Sequence, residues 1–484
     1  MNLRALVTAT LVLLVFNVPS QTPIAKVVAK GAALTPDDIR AAYDVNPLLK
    51  SGYTGRVVTV AILNTGIDDN FTADVKAFSS HYGLVEPTIR IVRPFGSDGT
   101  NKETPQMETT ADAELVHAMA PDAQILLVLT GTHSSLDGFS YVIDHDAADI
   151  ATLSPSWWYW GAGARNTVEA YNAEYAKSVD KKITLIAASN DWGSDNTFLW
   201  GEKPEDFWTA HLPDSYMMPQ YSPYVTAVGG TILTMQSVGY GSEKGWERSG
   251  GGPSNLFPEP KWQTGTGVPQ NGYRNIPDVA LDASCDTPYS VIWSRSDATF
   301  CGTSGGAPTF AGIVADIEQA AGERLGFLNP TLYSLASSDP SVYHEITSGC
   351  SLWQPNPYDP ATKTGYCAHP GWNYVTGWGG IDAARLATHL APRAHILPAT
   401  TTSKTTSISH EQSTETASII HPTSEAKNTA NRNQSNAREF HYSPYILVGL
   451  AIAAALIVAG FTYTRKRWTK NQSVQHHTTT SSND

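Results

Sequence analysis

Cys301-Gly302-Thr303-Ser304-Gly305-Gly306-Ala307-Pro308 runs into the apolar stretch Thr309-Phe310-Ala311-Gly312-Ile313-Val314. Small residues let the backbone turn sharply and leave one hydroxyl exposed. Pro308 is read as the place where a helix begins, because a missing N–H costs nothing in the first turn. A serine at the mouth of a helix suits nucleophilic attack, since free N–H groups and the helix dipole stabilise negative charge developing there. The same residues also suit a plain Gly-rich loop capped by serine. A nucleophile needs a base, so the rest of the chain decides between the two.

At 484 residues the chain can hold one large domain or two ordinary ones. Only 16% of residues are charged and the net charge is −13, which argues against nucleic-acid binding, where a basic face is needed. Arg4 precedes an apolar run from Ala5 to Val18, and Val18-Pro19-Ser20 suits cleavage, so residues 1–20 are expected to be a signal peptide. Tyr445 to Tyr463 is almost wholly apolar, and Arg465, Lys466, Arg467 and Lys470 follow it. The expectation is one membrane span over 444–464, a cytoplasmic tail over 465–484 and an extracellular ectodomain at the cell membrane. Residues 392–443, rich in Ser, Thr and Asn, read as a disordered stalk. With export, four cysteines suggest two disulfides in one of three pairings, and sequence proximity favours Cys285–Cys301 with Cys350–Cys367.

Leu34-Thr35-Pro36-Asp37-Asp38 opens a helix, with Thr35 as cap, Pro36 first and acids in the first turn. Val57–Leu63, Ala123–Leu129, Ile183–Ala188 and Tyr224–Val228 read as buried strands, and Ala111–Met119 reads as a helix. The alternation predicts an α/β fold, a parallel sheet flanked by helices, with the site at the carboxyl ends of the strands.

Asn64-Thr65-Gly66 ends the first strand where a subtilisin-type enzyme would place Asp-Thr-Gly, and no histidine stands before Gly-Thr, so a Ser-His-Asp triad fails on two members. Glu108 and Asp112 are four residues apart and share one face of a helix, where like charges repel. Two close carboxyls tend to share a proton, which would make them a base; they could equally be a solvated acidic helix start. Asp191, in Ser189-Asn190-Asp191-Trp192-Gly193, follows a buried strand directly and lies at the same rim, either in the site or in an ordinary Asx turn.

Taken in order, these pieces resemble the sedolisins, serine-carboxyl peptidases with a subtilisin-like fold, over about Leu34 to Leu390, a domain taken as 34–391. The resemblance rests on Glu108-x-x-x-Asp112 before Ala120-Pro121, on Asp191, and on Gly302-Thr303-Ser304 with Pro308. Pro223–Thr231, Ser249-Gly250-Gly251-Gly252 and Arg274–Ala280 add to it. It implies that Ser304 attacks a peptide carbonyl, Glu108 takes its proton, Asp112 orients Glu108, and protonated Asp191 donates to the oxyanion. The chemistry suits acid: a histidine base, ordinarily near 6.5, is protonated there, whereas Glu, ordinarily near 4.3, still accepts. An acid-active endopeptidase on polypeptide substrates is expected.

The resemblance also implies one Ca2+ site, aligned here with Glu345, Ile346, His369, Gly371 and Asn373, three of them through backbone carbonyls. Asn373 stands where the family has Asp, which removes a charge and weakens the expected site. A long prosegment is implied too, whereas the matched segment starts shortly after the expected cleavage point. Ser154-Pro155-Ser156-Trp157-Trp158-Tyr159-Trp160 occupies the place of a substrate-lining segment, and its aromatics would bind apolar side chains or cap the core. The reading from another class is a catalytically silent peptidase-fold surface or adhesion protein, with envelope proteins as partners.

Overall fold

The computed structural model describes residues 33–96, 107–193, 215–236, 239–353 and 364–398. The chain divides into two units, Met1–Ser403 and Lys404–Asp484. The second unit, the expected signal peptide, the membrane span over 444–464 and the tail over 465–484 all lie outside the described residues, as does the stalk beyond 398. Among the described residues no helix is long and apolar enough to cross a membrane.

A central sheet carries the fold. Its strands lie in the order Val279–Asp282, Thr226–Met235, Thr184–Ala188, Ile150–Leu153, Thr59–Asn64, Gln124–Leu129 and Thr88–Val92, every pair parallel, with Tyr240–Gly245 added antiparallel to Thr226–Met235. The chain order reverses around Thr59–Asn64. Such a switch point opens a crevice beyond the carboxyl ends of its strands.

Alternation within Thr59–Asn64 shows why the sheet is buried on both faces. Val60 and Ile62 join one core cluster with Phe310, Ile313 and Val314, whereas Ala61 and Leu63 join another with Phe139 and Val142. The first face is covered by helices Met107–Met119 and Thr303–Ala321, the second by Leu136–His145 and Ala164–Asp180. All 13 residues of Met107–Met119 are buried, so its acids are not a solvated helix start.

Several expected boundaries shift. Val57 has φ +69° and is exposed, so the first strand starts at Thr59; Val58 still pairs through its carbonyl with Gln124 N. Pro308 does not begin its helix: the helix starts at Thr303 and Pro308 lies inside it. Thr35 caps the helix Pro36–Ala42 in a reciprocal arrangement with Asp38. The disulfides are Cys285–Cys301 and Cys350–Cys367. Arg274 and Asp278 form a fully buried bidentate pair at 2.9 and 2.6 Å, and Asp278 Oδ2 also accepts from Ala227 N, so this motif ties the loop before Val279–Asp282 to the neighbouring strand. The segment expected to leave the domain at Pro392 stays on it as far as Leu397, whose N–H donates to Ser51 Oγ at 2.8 Å.

Candidate active site

The nucleophile loop is built from both sides. Strand Ser296–Phe300 delivers Cys301, whose bridge to Cys285 holds the turn. Gly302 then takes φ +113°, and its N–H donates to Ala283 O at 2.8 Å. A Cβ there would stand 2.4 Å from Asp191 Oδ2, so the position demands glycine twice over. Ser304 follows in the first turn of the helix, buried to 4% exposure. Pro308, four residues on, has no N–H to give to the Ser304 carbonyl. Ser154, one residue beyond strand Ile150–Leu153, stands there instead: its hydroxyl oxygen lies 3.3 Å from Ser304 O and 2.9 Å from Asp112 Oδ1, so its single proton bridges the two acceptors.

Helix Met107–Met119 brings in the carboxyl pair. Glu108 lies within electrostatic reach of the Ser304 hydroxyl, and Asp112 Oδ1 accepts a hydrogen bond from Ser154 Oγ at 2.9 Å. Asp112 Oδ2 has no hydrogen-bond partner among the described residues. Burial pushes the Glu108 carboxyl up to about 7, the nearby Ser304 hydroxyl partly offsets this, and the Asp191 charge adds to the rise. Asp112 is pushed well above the carboxylate range by burial first and by the Glu108 charge second. Two buried carboxyls on one helix face, with no cation beside them among the described residues, resist holding two negative charges, so a proton stays with the pair.

Asp191 enters from the other side, three residues beyond strand Thr184–Ala188, after Asn190 at φ +92°. Its Oδ1 accepts from both Thr303 N and Thr303 Oγ1 at 2.8 Å. Arg248 Nε donates to its backbone carbonyl at 3.1 Å. Burial raises the Asp191 carboxyl, against the two Thr303 hydrogen bonds and the Arg248 charge. With Oδ1 engaged by donors, Oδ2 is the atom free to carry a proton.

Ser304, Glu108, Asp112 and Asp191 therefore meet at the carboxyl-end crevice. Asn64 ends its strand there too, its Oδ1 spent on Thr65 N at 2.7 Å. Two partners went unread in the sequence: Thr303, which holds Asp191, and Ser154 in its contact with Asp112. Only their places inside Gly302-Thr303-Ser304 and Ser154-Pro155-Ser156 hinted at them. Strand Trp157–Trp160 pairs antiparallel with Ser215–Met218, and Trp157 Nε1 donates to Ser135 Oγ at 2.5 Å. Trp157 and Tyr159 pack on the second core cluster, so these two aromatics cap the core.

The five residues aligned with a calcium site also come together, but not as a cation cage. Asn373 is 1% exposed, and its Oδ1 accepts from Val375 N, Thr376 N and Thr376 Oγ1 at 3.0, 3.0 and 3.1 Å. Those donors fix the amide orientation, so Nδ2 faces the carbonyls of Ile346, His369 and Gly371 at 3.3, 3.3 and 3.5 Å. Glu345 Oε1 is taken by Gly371 N at 2.9 Å. Carbonyl oxygens that would ligate calcium thus receive N–H donors, and a donor cannot ligate a cation. As arranged, these residues do not fit the ion.

Fold and site together describe an α/β domain, a central parallel sheet flanked by helices, in which a buried serine stands beside carboxyls. No protein-family model matches the chain. It is similar to kumamolisin of Bacillus sp. (strain MN-32), 32% identical over 394 residues, which cover 76% of this chain and 65% of kumamolisin. It is similar to sedolisin of Pseudomonas sp. (strain 101), 28% identical over 405 residues, covering 77% of this chain and 66% of sedolisin. The chain thus spans about two thirds of the length of these curated relatives. Among solved structures, Pseudomonas sedolisin, a serine-carboxyl proteinase complexed with two molecules of pseudo-iodotyrostatin, matches with a TM-score of 0.62 and 26% identity, over 75% of this chain and 99% of that one.

Proposed function

We propose that this chain is a serine-carboxyl endopeptidase of the sedolisin type, acting on polypeptides in acid from the outer face of a membrane. The observation that carries the reading is the burial of Ser304 together with three carboxyls, Glu108, Asp112 and Asp191, with the Ser304 hydroxyl acting on the Glu108 carboxyl and Asp191 held by Thr303 next to the serine. Ser304 Oγ adds to the peptide carbonyl while its proton passes to Glu108. Asp191, protonated on Oδ2, and backbone N–H groups at the helix start receive the oxyanion. Glu108 then returns the proton to the leaving amine, and water repeats the sequence on the acyl-enzyme.

Two protonation states bound the working range. Activity falls at low pH, where Glu108 holds its own proton, a limb that burial moves up from the ordinary carboxylate range, and falls at higher pH as Asp191 loses its proton. Because Asp191 must be protonated to donate, the range lies on the acid side, and the raised Glu108 favours its weakly acidic end. Support for the location is sequence alone: the apolar run Tyr445–Tyr463 with its basic flank, and the N-terminal apolar run. The test is hydrolysis of a denatured protein by the full chain across about pH 2–8, beside Ser304→Ala. Acid-side activity abolished in the variant is the expected result. A folded protein without activity at any pH would overturn the proposal in favour of a silent surface protein.

A further inference from the structure

We propose that the Asn373 side-chain amide takes the place of a metal ion in this chain, so that the loop pair 345–349 and 367–377 is closed by an internal hydrogen-bond donor and is indifferent to calcium. Three backbone carbonyls, from Ile346, His369 and Gly371, converge on one point inside the protein. Converging carbonyl dipoles repel unless something positive sits between them. Here the two N–H bonds of the Asn373 amide sit there, and they bring partial rather than full positive charge.

The orientation of that amide is over-determined. Three donors converge on Oδ1, and turning the amide over to offer oxygen to a cation would set Nδ2 against two backbone N–H groups, those of Val375 and Thr376. The backbone of Asn373 is pinned as well, by reciprocal hydrogen bonds with Gly377 at 3.1 and 2.9 Å. An aspartate in the same place could keep one oxygen on those donors and present the other to a cation, which is the single-atom difference between the two designs. Among the described residues aligned with the site the one carboxylate is Glu345, and its Oε1 accepts from Gly371 N. No group of three or more His, Cys, Asp or Glu suited to a metal occurs among the described residues. The Cys350–Cys367 bridge closes the hairpin between the two loops and fixes their separation without an ion.

The experiment is thermal unfolding of the full chain with calcium and with a calcium chelator, together with calorimetric titration of calcium, for the parent protein and for Asn373→Asp. The parent is expected to show the same midpoint in both conditions and no binding heat. Asn373→Asp is expected to unfold at lower temperature in chelator and to rise by about 5 °C at saturating calcium. A parent midpoint that rises with calcium and falls on chelation overturns the proposal, whatever the variant does. So does an Asn373→Asp that folds yet stays indifferent to calcium, since the carbonyls would then not mark a cation position. If the variant does not fold, the parent titration alone decides.

Discussion

Replacing Glu243 by glutamine should flatten the pH dependence of folding. Glu243 lies in the antiparallel strand Tyr240–Gly245 with its side chain buried, where Oε1 accepts from Tyr43 Oη at 2.8 Å and from Thr231 Oγ1 at 2.6 Å. Its Oε2 has no hydrogen-bond partner among the described residues, and the nearest basic atom, His344 Nδ1, is 3.9 Å away. The other groups that face it, Tyr240, Asp282 and Tyr289, carry no positive charge. Burial therefore pushes this carboxyl from its ordinary 4.5 up to about 7. The folded state holds the proton more tightly than the unfolded chain does. The resulting stabilisation is complete below about 4.5, shrinks as pH rises, and is gone above about 7. Its size is about 3 kcal/mol, at about 1.4 kcal/mol per pH unit. His117 and His344, held neutral down to about 4 by burial, act in the opposite sense, since their contribution is lost as pH falls below 6.5. His117 remains unchanged in the variant and cancels in the comparison, and His344, 3.9 Å from the substituted group, is neutral in the fold across the tested range. Urea unfolding of the two proteins between about pH 5 and pH 8 should show the parent losing about 2–3 kcal/mol more than Glu243→Gln over that span. Parallel curves would refute the reasoning, because they would mean that Glu243 is already ionised in the fold.

Asp191→Asn should stay active in acid and remain active at higher pH than the parent, because an amide keeps one oxygen for Thr303 and donates from the other position at any pH. Asp191→Ala should lower kcat by about 10²–10³-fold; an Asn variant with the parent's alkaline limb would show that Asp191 is not the donor. Gly302→Ala should cut activity by about 100-fold and stability by about 1–3 kcal/mol, since the new Cβ meets Asp191 Oδ2 at 2.4 Å in a backbone region closed to alanine. Near-parent values of both, by steady-state kinetics and calorimetry, would mean that the loop has room that the geometry denies it.

Much of this was legible beforehand. Continuous apolar runs announced four parallel strands, because a strand covered on both faces cannot alternate. The edge strand Thr88–Val92 escaped notice since its exposed and half-buried residues carry no such run. Ser304, Glu108, Asp112 and Asp191 stood out because each sits in a short local pattern: a small-residue turn, an i,i+4 acid pair, and an acid directly after a buried strand. Whether Glu108 and Asp112 faced water or the interior was not a local property. Their helix is buried on every side only because other elements, the Thr303–Ala321 helix among them, close over it.

By itself the sequence determined the fold class, the candidate residues and the exclusion of a histidine triad, since these depend on periodicity, on turn chemistry and on which side chains are present. Tertiary structure alone decided what those side chains touch. Asp191 meets Thr303 across 112 positions and Ser154 meets Asp112 across 42, distances over which no pattern in the chain carries information. The same holds for Pro308: only the fold shows that the carbonyl it leaves without an amide partner is met by Ser154. Asn373 makes the point most sharply. Its identity could be read as a weakened calcium ligand, but the direction of its amide was set by three donors that the folded loop assembled. Hydrogen-bond direction is fixed by neighbours in space, and neighbours in space are what a one-dimensional sequence leaves out.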